Sequence, residues 1–128
     1  MTDGYNLYRF LSAQEPVYDT VLDELRAGRK SSHWIWFIFP QITGLGRSAM
    51  AQKFAIGSLN EAKAYLKHPV LGPRLRECTQ LVLDVNGRSA KEILGYPDHL
   101  KFRSCMTLFL TAATDNTLFN NALLTYFD

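Results

Sequence analysis

Apolar side chains recur at three- and four-residue intervals along most of this chain, the spacing that places them on one face of an α-helix. Val17, Val21 and Leu25 show this spacing within 16–28, a segment that opens with a proline and closes with a glycine, as helices often do. The same pattern predicts helices over 5–11, 47–56, 59–67, 90–94, 97–113 and 117–127, and a long helix from the Pro69–Pro73 corner to about residue 85.

Helix caps support this assignment. Ser58 precedes one periodic segment and Glu61 follows three residues later, which is the spacing of a capping box. Only residues 35–39 are strand-like, and no second strand is available to satisfy their backbone groups. We therefore interpret them as a buried irregular or short helical segment. The sequence predicts an all-α fold in a single domain over residues 1–128, without a sheet of three or more strands.

Composition excludes several classes of function. Hydrophobic residues make up 47% and charged residues 20% of the 128 residues, which indicates a packed domain and not a disordered chain. A net charge of +2 predicts neither nucleic acid nor a membrane surface as a partner, and no apolar run is long enough to span a bilayer. Cys78 and Cys105 provide no disulfide framework, and His68 and His99 have no metal-site spacing. We expect free thiols, a cytoplasmic location, no metal and no cofactor.

The most distinctive pattern is an aromatic block that runs into a glycine turn and then a predicted helix start. Aromatic walls beside unpaired helix N–H groups are what a nucleotide-like ligand needs, and Gly46 would allow close approach or a positive φ. The alternative is that the rings are core residues and the glycines an ordinary turn. The predicted ligand-binding residues of this stretch are Trp34, Trp36, Phe39, Gln41, Gly44, Gly46, Arg47 and Ser48.

Few other residues carry candidate chemistry. His33, beside the aromatic block, is the candidate catalytic acid or base, and the alternative is a packed or capping histidine. Lys101 and Ser104 share one face of the predicted 97–113 helix with Cys105 and Leu108. Lys101 with the hydroxyls of Ser104 and Thr107 would hold a phosphate, and the alternative is a solvated helix edge. Several other cations could form a basic rim: Arg47, Lys53, Arg74, Arg76 and Arg103.

The chain resembles the bacterial domain-of-unknown-function family 1810 along essentially its whole length. Members of that family usually continue into a short helical tail, so we expect this chain to lack one after Asp128. They are often labelled calpastatin, although that inhibitor is a disordered chain and this composition predicts a packed domain. The matching segments are Arg9-Phe10, Ala13-Gln14, His33 to Gln41, Gly44 to Ser48, Tyr65 to Gly72, Gly95 to Asp98 with Lys101, and Ser104 to Phe109.

The aromatic block, the glycine turn and the run from Ala51 to Phe54 also resemble the core of the YbiA-like superfamily. That resemblance implies NAD-, ADP-ribose- or riboflavin-related ligands and N-glycosidase activity. The superfamily's Glu-His pair is replaced here by Gly46 and Arg47, so the carboxylate that a glycosidase needs is not matched. Possible substitutes are Glu15, Glu24 and Asp98.

The resulting hypothesis is a small-molecule binder for a phosphorylated ribose or nucleotide-like ligand, with hydrolysis as an open possibility. His33 would transfer the proton in that case. The alternative is a non-enzymatic protein-interaction domain whose aromatic block is core. A protein partner requires an exposed apolar patch, whereas an enzyme requires a concave pocket with converging polar groups.

Overall fold

The computed structural model describes residues 4–127, and helices are the regular structure of that range. No strand occurs among these residues, where a single parallel bridge pairs Ile42 with Ile56. The predicted all-α fold is therefore confirmed. The helices are α1 Tyr8–Gln14, α2 Tyr18–Arg26, α3 Ile35–Ile38, α4 Ala49–Lys53, α5 Leu59–Lys67, α6 Leu71–Leu83, α7 Ala90–Leu94, α8 Asp98–Ala112 and α9 Thr117–Phe127.

Within residues 4–127, serine side chains cap the starts of α4, α5 and α7. Ser89 and Glu92 form a complete capping box at α7, because each side chain accepts from the other residue's amide. At α5 the box is only half formed. Ser58 accepts from the amide of Glu61 at 3.1 Å, but the Glu61 carboxylate accepts from the amide of Gly57 at 3.0 Å.

Two predicted helices differ from the structure. The segment predicted over 5–11 begins later, at Tyr8, after Asn6 with a positive φ of 53°. The helix predicted over 47–56 contains only five residues, because Ser48 is an extended N-cap and Phe54 already leaves helical geometry. The strand-like residues do form a short buried helix, α3, as expected.

The longest helix, α8, is the centre of the domain and packs against α3, α5, α7 and α9. Its inner face buries Phe102 and Phe109 completely. The Phe102 ring meets Phe39 at a centroid distance of 4.8 Å, and Phe109 meets Tyr65 at 5.4 Å. One continuous core therefore connects α8 with the aromatic block of α3.

Both cysteines, Cys78 in α6 and Cys105 in α8, are free and buried, as the sequence predicts. Burial raises the pKa of the Cys78 thiol to about 12, and it also raises the pKa of Cys105 well above its usual value. Both side chains therefore stay protonated and act as small apolar groups in the core.

The helices are short relative to a bilayer. α8 has 15 residues, whereas a membrane-spanning helix needs about 20 apolar residues. Within residues 4–127, no helix has both the length and the apolar composition required to cross a membrane.

Candidate functional site

An open groove lies between the loop after α3, the first turn of α5 and the outer face of α8. Its volume is about 570 Å³, a size that is typical of small-molecule sites. Its apolar walls are Ile42 and Leu45 from the loop, Leu59 from α5, and Leu100 and Leu108 from α8. Its polar lining residues all belong to α8: Arg103, Ser104, Thr107 and Thr111.

Arg9 of α1 fixes the chain segment between α4 and α5, to which the loop after α3 is attached. Its guanidinium donates to the backbone carbonyls of Lys53 and Ala55, both at 2.8 Å, and pairs with a carboxylate of α5. The amide of Ile56 then donates to the carbonyl of Gln41 at 2.9 Å, which closes the base of the loop. The loop therefore has a fixed backbone at its two ends.

The hydroxyl groups of the groove form a row along α8. Ser104, Thr107 and Thr111 each donate to the backbone carbonyl four residues earlier, at 3.2, 2.9 and 3.3 Å. A hydroxyl that donates its proton in this way still has lone pairs that can accept. The row therefore offers acceptors to a ligand that carries hydroxyl or amino donors.

Arg103 is the charged residue of the groove. Its guanidinium lies 5.9 Å from the ring centroid of Phe127, and it has no carboxylate partner in the described part of the chain. An arginine offers five N–H donors in a planar fork that suits carboxylate and phosphate groups. The groove can therefore hold one anionic group at this end.

The aromatic block lies elsewhere. Trp34 is 1% exposed and Phe39 is completely buried, so both rings belong to the core and neither is positioned to wall a ligand. Trp36 is half-buried and packs against the same core. None of these three side chains lines the groove. These three residues therefore lie where the alternative interpretation of the sequence puts the aromatic block, in the core.

The glycine turn contributes a wall, but its local geometry differs from the expectation. Positive φ occurs at Gly44 (93°) and not at Gly46. A Cβ at Gly46 would lie 2.6 Å from the Cβ of Ala51. The residue that Gly46 approaches closely is therefore Ala51, and the glycine is required for this packing contact. Ser48 accepts from the amide of Ala51 at 3.1 Å and caps α4, which is too short to carry much of a helix dipole. Leu45, between the two glycines, is the residue that reaches the groove.

The remaining predicted residues are spread over the surface. His33 and Arg47 are exposed, and neither lines the groove. The backbone of Gln41 closes the base of the loop. Lys101 lies 3.6 Å from Asp98. Ser104 lines the groove, as do Thr107 and Arg103, which the sequence suggests as a second phosphate-binding hydroxyl and a basic-rim residue.

The candidate carboxylates are already engaged with the protein. Glu15 pairs with Arg74 at 3.0 Å, and Asp98 pairs with Lys30 at 2.8 Å. Glu24 is buried and accepts four hydrogen bonds from the loop before α3. Across residues 4–127, no three His, Cys, Asp or Glu side chains are grouped so as to hold a metal ion.

Most of the groove residues were missed because their signal is tertiary. Leu59 and Leu100 read as ordinary members of amphipathic helices, and only the fold places them beside the loop residue Leu45. The spacing of Arg103, Thr107 and Thr111, each four residues from the next, does place them along one face of α8. That stripe was the available sequence signal.

The fold and groove define an all-helical domain with an aromatic core and an open groove lined by leucines and hydroxyls. The chain belongs to the family described as protein of unknown function DUF1810, which matches residues 4–128 and confirms the resemblance to family 1810. It is similar to the crystal structure of the conserved hypothetical protein Rv1873 from Mycobacterium tuberculosis, with 55% identity and a TM-score of 0.96. That match covers 98% of this chain and 89% of that one. No curated protein matches the chain.

Proposed function

We propose that this protein binds a phosphorylated, nucleotide-like small molecule in the groove between the loop and α8. The observation that carries the proposal is the row of hydroxyls on α8, with Arg103 at one end and leucines around it. A nucleoside monophosphate has corresponding parts: a flat base with apolar faces, a sugar with hydroxyl donors, and an anionic phosphate.

Each part of the groove has a role in this proposal. Leu45, Leu59 and Leu100 are 56%, 39% and 42% exposed, so a base lying against them would remove apolar surface from water. Thr107 would accept from the ribose hydroxyls. Arg103 would bind the phosphate through charge-assisted hydrogen bonds.

The glycine turn supports the same site. The backbone amides of residues 44–48 donate to no protein acceptor within the described part of the chain. Leu45 lies among these residues and lines the groove. The turn can therefore supply N–H donors to an anionic or carbonyl group at the loop wall.

We propose binding without hydrolysis. The described lining of the groove contains no carboxylate and no imidazole, whereas glycosidase chemistry requires a carboxylate near the reacting carbon. The ligand class implied by the YbiA-like resemblance is thus retained, and its catalytic activity is not.

The exposed leucines also favour a second candidate function. A cluster of partly exposed leucines around an open groove is a feature of protein-interaction surfaces, and the aromatic block of this chain is core. A protein partner would gain most from the leucines and little from the hydroxyl row. Substituting a hydroxyl and a leucine separately therefore distinguishes the two functions.

The test is calorimetric titration of the protein with adenosine, AMP and ribose 5-phosphate. We expect AMP to bind more tightly than either fragment. Arg103→Gln should weaken AMP binding about tenfold, the effect of losing a charge-assisted hydrogen bond, and leave adenosine binding nearly unchanged. Thr107→Val should weaken both ligands while preserving side-chain volume.

The matched controls lie outside the groove. Arg29→Gln removes an exposed positive charge, and Thr20→Val removes an exposed hydroxyl from α2. Neither should change AMP affinity. If none of the three ligands binds at millimolar concentration, or if Arg103→Gln and Arg29→Gln have equal effects, the proposed nucleotide site is wrong.

A further inference from the structure

A second cavity follows the groove along the seam between α5 and α8. Leu59 lines the groove, and Lys63 and Lys67, four and eight residues further along α5, line this cavity. At about 1.5 Å per residue, the two lysines lie about 6 and 12 Å beyond Leu59 along the helix axis. The cavity has a volume of about 360 Å³, and Arg76 of α6 and Asp115 after α8 complete its charged lining.

The three cations have little compensation from the protein. Neither Lys63 nor Lys67 forms an ion pair within the described part of the chain. The Arg76 guanidinium donates one long hydrogen bond, 3.4 Å, to the backbone carbonyl of Asp115 and lies 5.1 Å from the ring centroid of Phe119. Most of its donors remain available.

Asp115 is the single acidic residue of the lining, and it has another partner. Its carboxylate accepts from the amide of Thr117 at 3.2 Å, at the start of α9. Hydrogen bonding to Thr117 and the nearby charge of Arg76 lower the pKa of Asp115. With three cations and one carboxylate, the lining of the cavity has a net charge of +2. This equals the net charge of the whole chain.

Helix stability does not account for this arrangement. Lys67 lies in the last turn of α5, where a cation suits the exposed carbonyl groups. Lys63 lies one turn earlier, and like charges at this spacing repel each other. Arg76 lies in the middle of another helix, α6, away from both of its ends. An anion in the cavity would offset the repulsion between the two lysines and pair with the charge of Arg76.

We propose that this cavity binds a phosphate-type oxyanion through Lys63, Lys67 and Arg76. Its source is a free phosphate or diphosphate. Arg103, which would hold the phosphate of a ligand in the groove, lies nine residues before Ala112 of this cavity, about 13 Å along α8. The oxyanion site therefore does not depend on the proposed function.

The test is titration with pyrophosphate at low ionic strength. We expect binding that weakens as salt is added. The double variant Lys63→Gln/Lys67→Gln should weaken pyrophosphate binding by about tenfold or more, because two charge-assisted contacts are lost. Its control is Arg29→Gln/Arg88→Gln, which removes the same total charge from exposed positions outside both cavities and should leave the affinity nearly unchanged.

Titrations with AMP and ADP test whether the oxyanion is separate from a ligand of the groove. We expect AMP and ADP to bind equally, and we expect Thr107→Val to leave the affinity for pyrophosphate unchanged. An advantage of ADP over AMP that is lost in Lys63→Gln/Lys67→Gln would still support the cavity as an oxyanion site, but it would contradict the phosphate-binding role given to Arg103.

Two results would overturn the inference. One is the absence of pyrophosphate binding to a wild-type protein whose circular dichroism and melting temperature are normal. The other is an equal loss of affinity in the lysine variant and the arginine control, which would indicate a general charge effect. AMP could still bind the groove in both cases, so the proposed function would be judged separately.

Discussion

The carboxylate of Glu24 accepts a hydrogen bond of 2.9 Å from the indole Nε1 of Trp34, joining α2 to the start of the aromatic block. The same carboxylate accepts from the amides of Ser31 and Ser32 at 2.7 and 3.0 Å and from the Ser32 hydroxyl at 2.5 Å. The loop between α2 and α3 is therefore wrapped around one buried anion. This pairing satisfies the polar atom of the largest buried side chain.

We expect the fold to lose stability in acid because of Glu24. Burial acts to raise the pKa of this carboxyl, but hydrogen bonds from Ser32, Ser31 and Trp34 outweigh it and lower the pKa from 4.5 to about 2. The stabilisation is therefore complete above about pH 4.5 and is lost as the pH falls through the folded-state pKa. The shift corresponds to about 3 kcal/mol of unfolding free energy.

Glu24→Gln tests this expectation, because the amide keeps the size of the side chain and loses the charge. Urea unfolding followed by tryptophan fluorescence should show a loss of about 2–3 kcal/mol at pH 7 and a smaller loss at pH 2. Asp19→Asn, on the exposed side of α2, is the control and should change stability by less than about 0.5 kcal/mol. An equal loss at both pH values would contradict the role given to the ionised carboxylate.

Gly46 and Ala51 should show strong energetic coupling. Gly46→Ala introduces a Cβ that would lie 2.6 Å from the Cβ of Ala51, so we expect a loss of about 1–3 kcal/mol. The double variant Gly46→Ala/Ala51→Gly restores the space, at a cost of about 1 kcal/mol for glycine within α4. A double-mutant cycle by chemical denaturation measures the coupling, and additive losses would show that the two positions do not clash.

Arg9 should be irreplaceable by lysine. Its guanidinium donates to four backbone carbonyls, those of Tyr5, Asn6, Lys53 and Ala55, and also pairs with the Glu61 carboxylate at 2.8 Å. Lysine keeps the charge but has no planar fork, so we expect Arg9→Lys to cost about 2–4 kcal/mol of unfolding free energy. Thermal melting measures the loss.

The loop that walls the groove should respond to the same substitution. Amide chemical shifts of residues 41–46 should change in Arg9→Lys, because this loop is attached to the carbonyls that Arg9 binds. Arg29→Lys is the control for a general effect of arginine replacement. Unchanged stability in Arg9→Lys would mean that water replaces the lost hydrogen bonds.

The fold was predictable where the determining interactions are local. Ser89 and Glu92 lie three residues apart and cap the helix predicted over 90–94, whereas the predicted Ser58–Glu61 box is half formed because Glu61 accepts from the amide of Gly57. The length of α4 depends instead on Phe54, which leaves the helix to pack against Phe10 and Phe37 at centroid distances of 5.7 and 5.3 Å. Contacts that distant in sequence leave no local pattern.

The site was harder to predict for a related reason. A dense aromatic run has the same composition whether it lines a ligand pocket or belongs to the core. Trp34 is in the core, where its indole donates to Glu24, a residue ten positions earlier in the chain. The groove forms where Leu45, Leu59 and Leu100 meet, three residues from separate segments. Ser104 was predicted as a site residue because a second hydroxyl residue, Thr107, follows three positions later in the same helix.

The two buried thiols make this protein a reporter of its own opening motions. Cys78 and Cys105 are fully buried and belong to different helices, so a thiol reagent can reach each one only when α6 or α8 leaves the core. Labelling rates at increasing urea, resolved for each cysteine by mass spectrometry, should therefore give the opening free energy of each helix. Equal values would show that the domain opens as one cooperative unit, and unequal values would identify the helix that opens first.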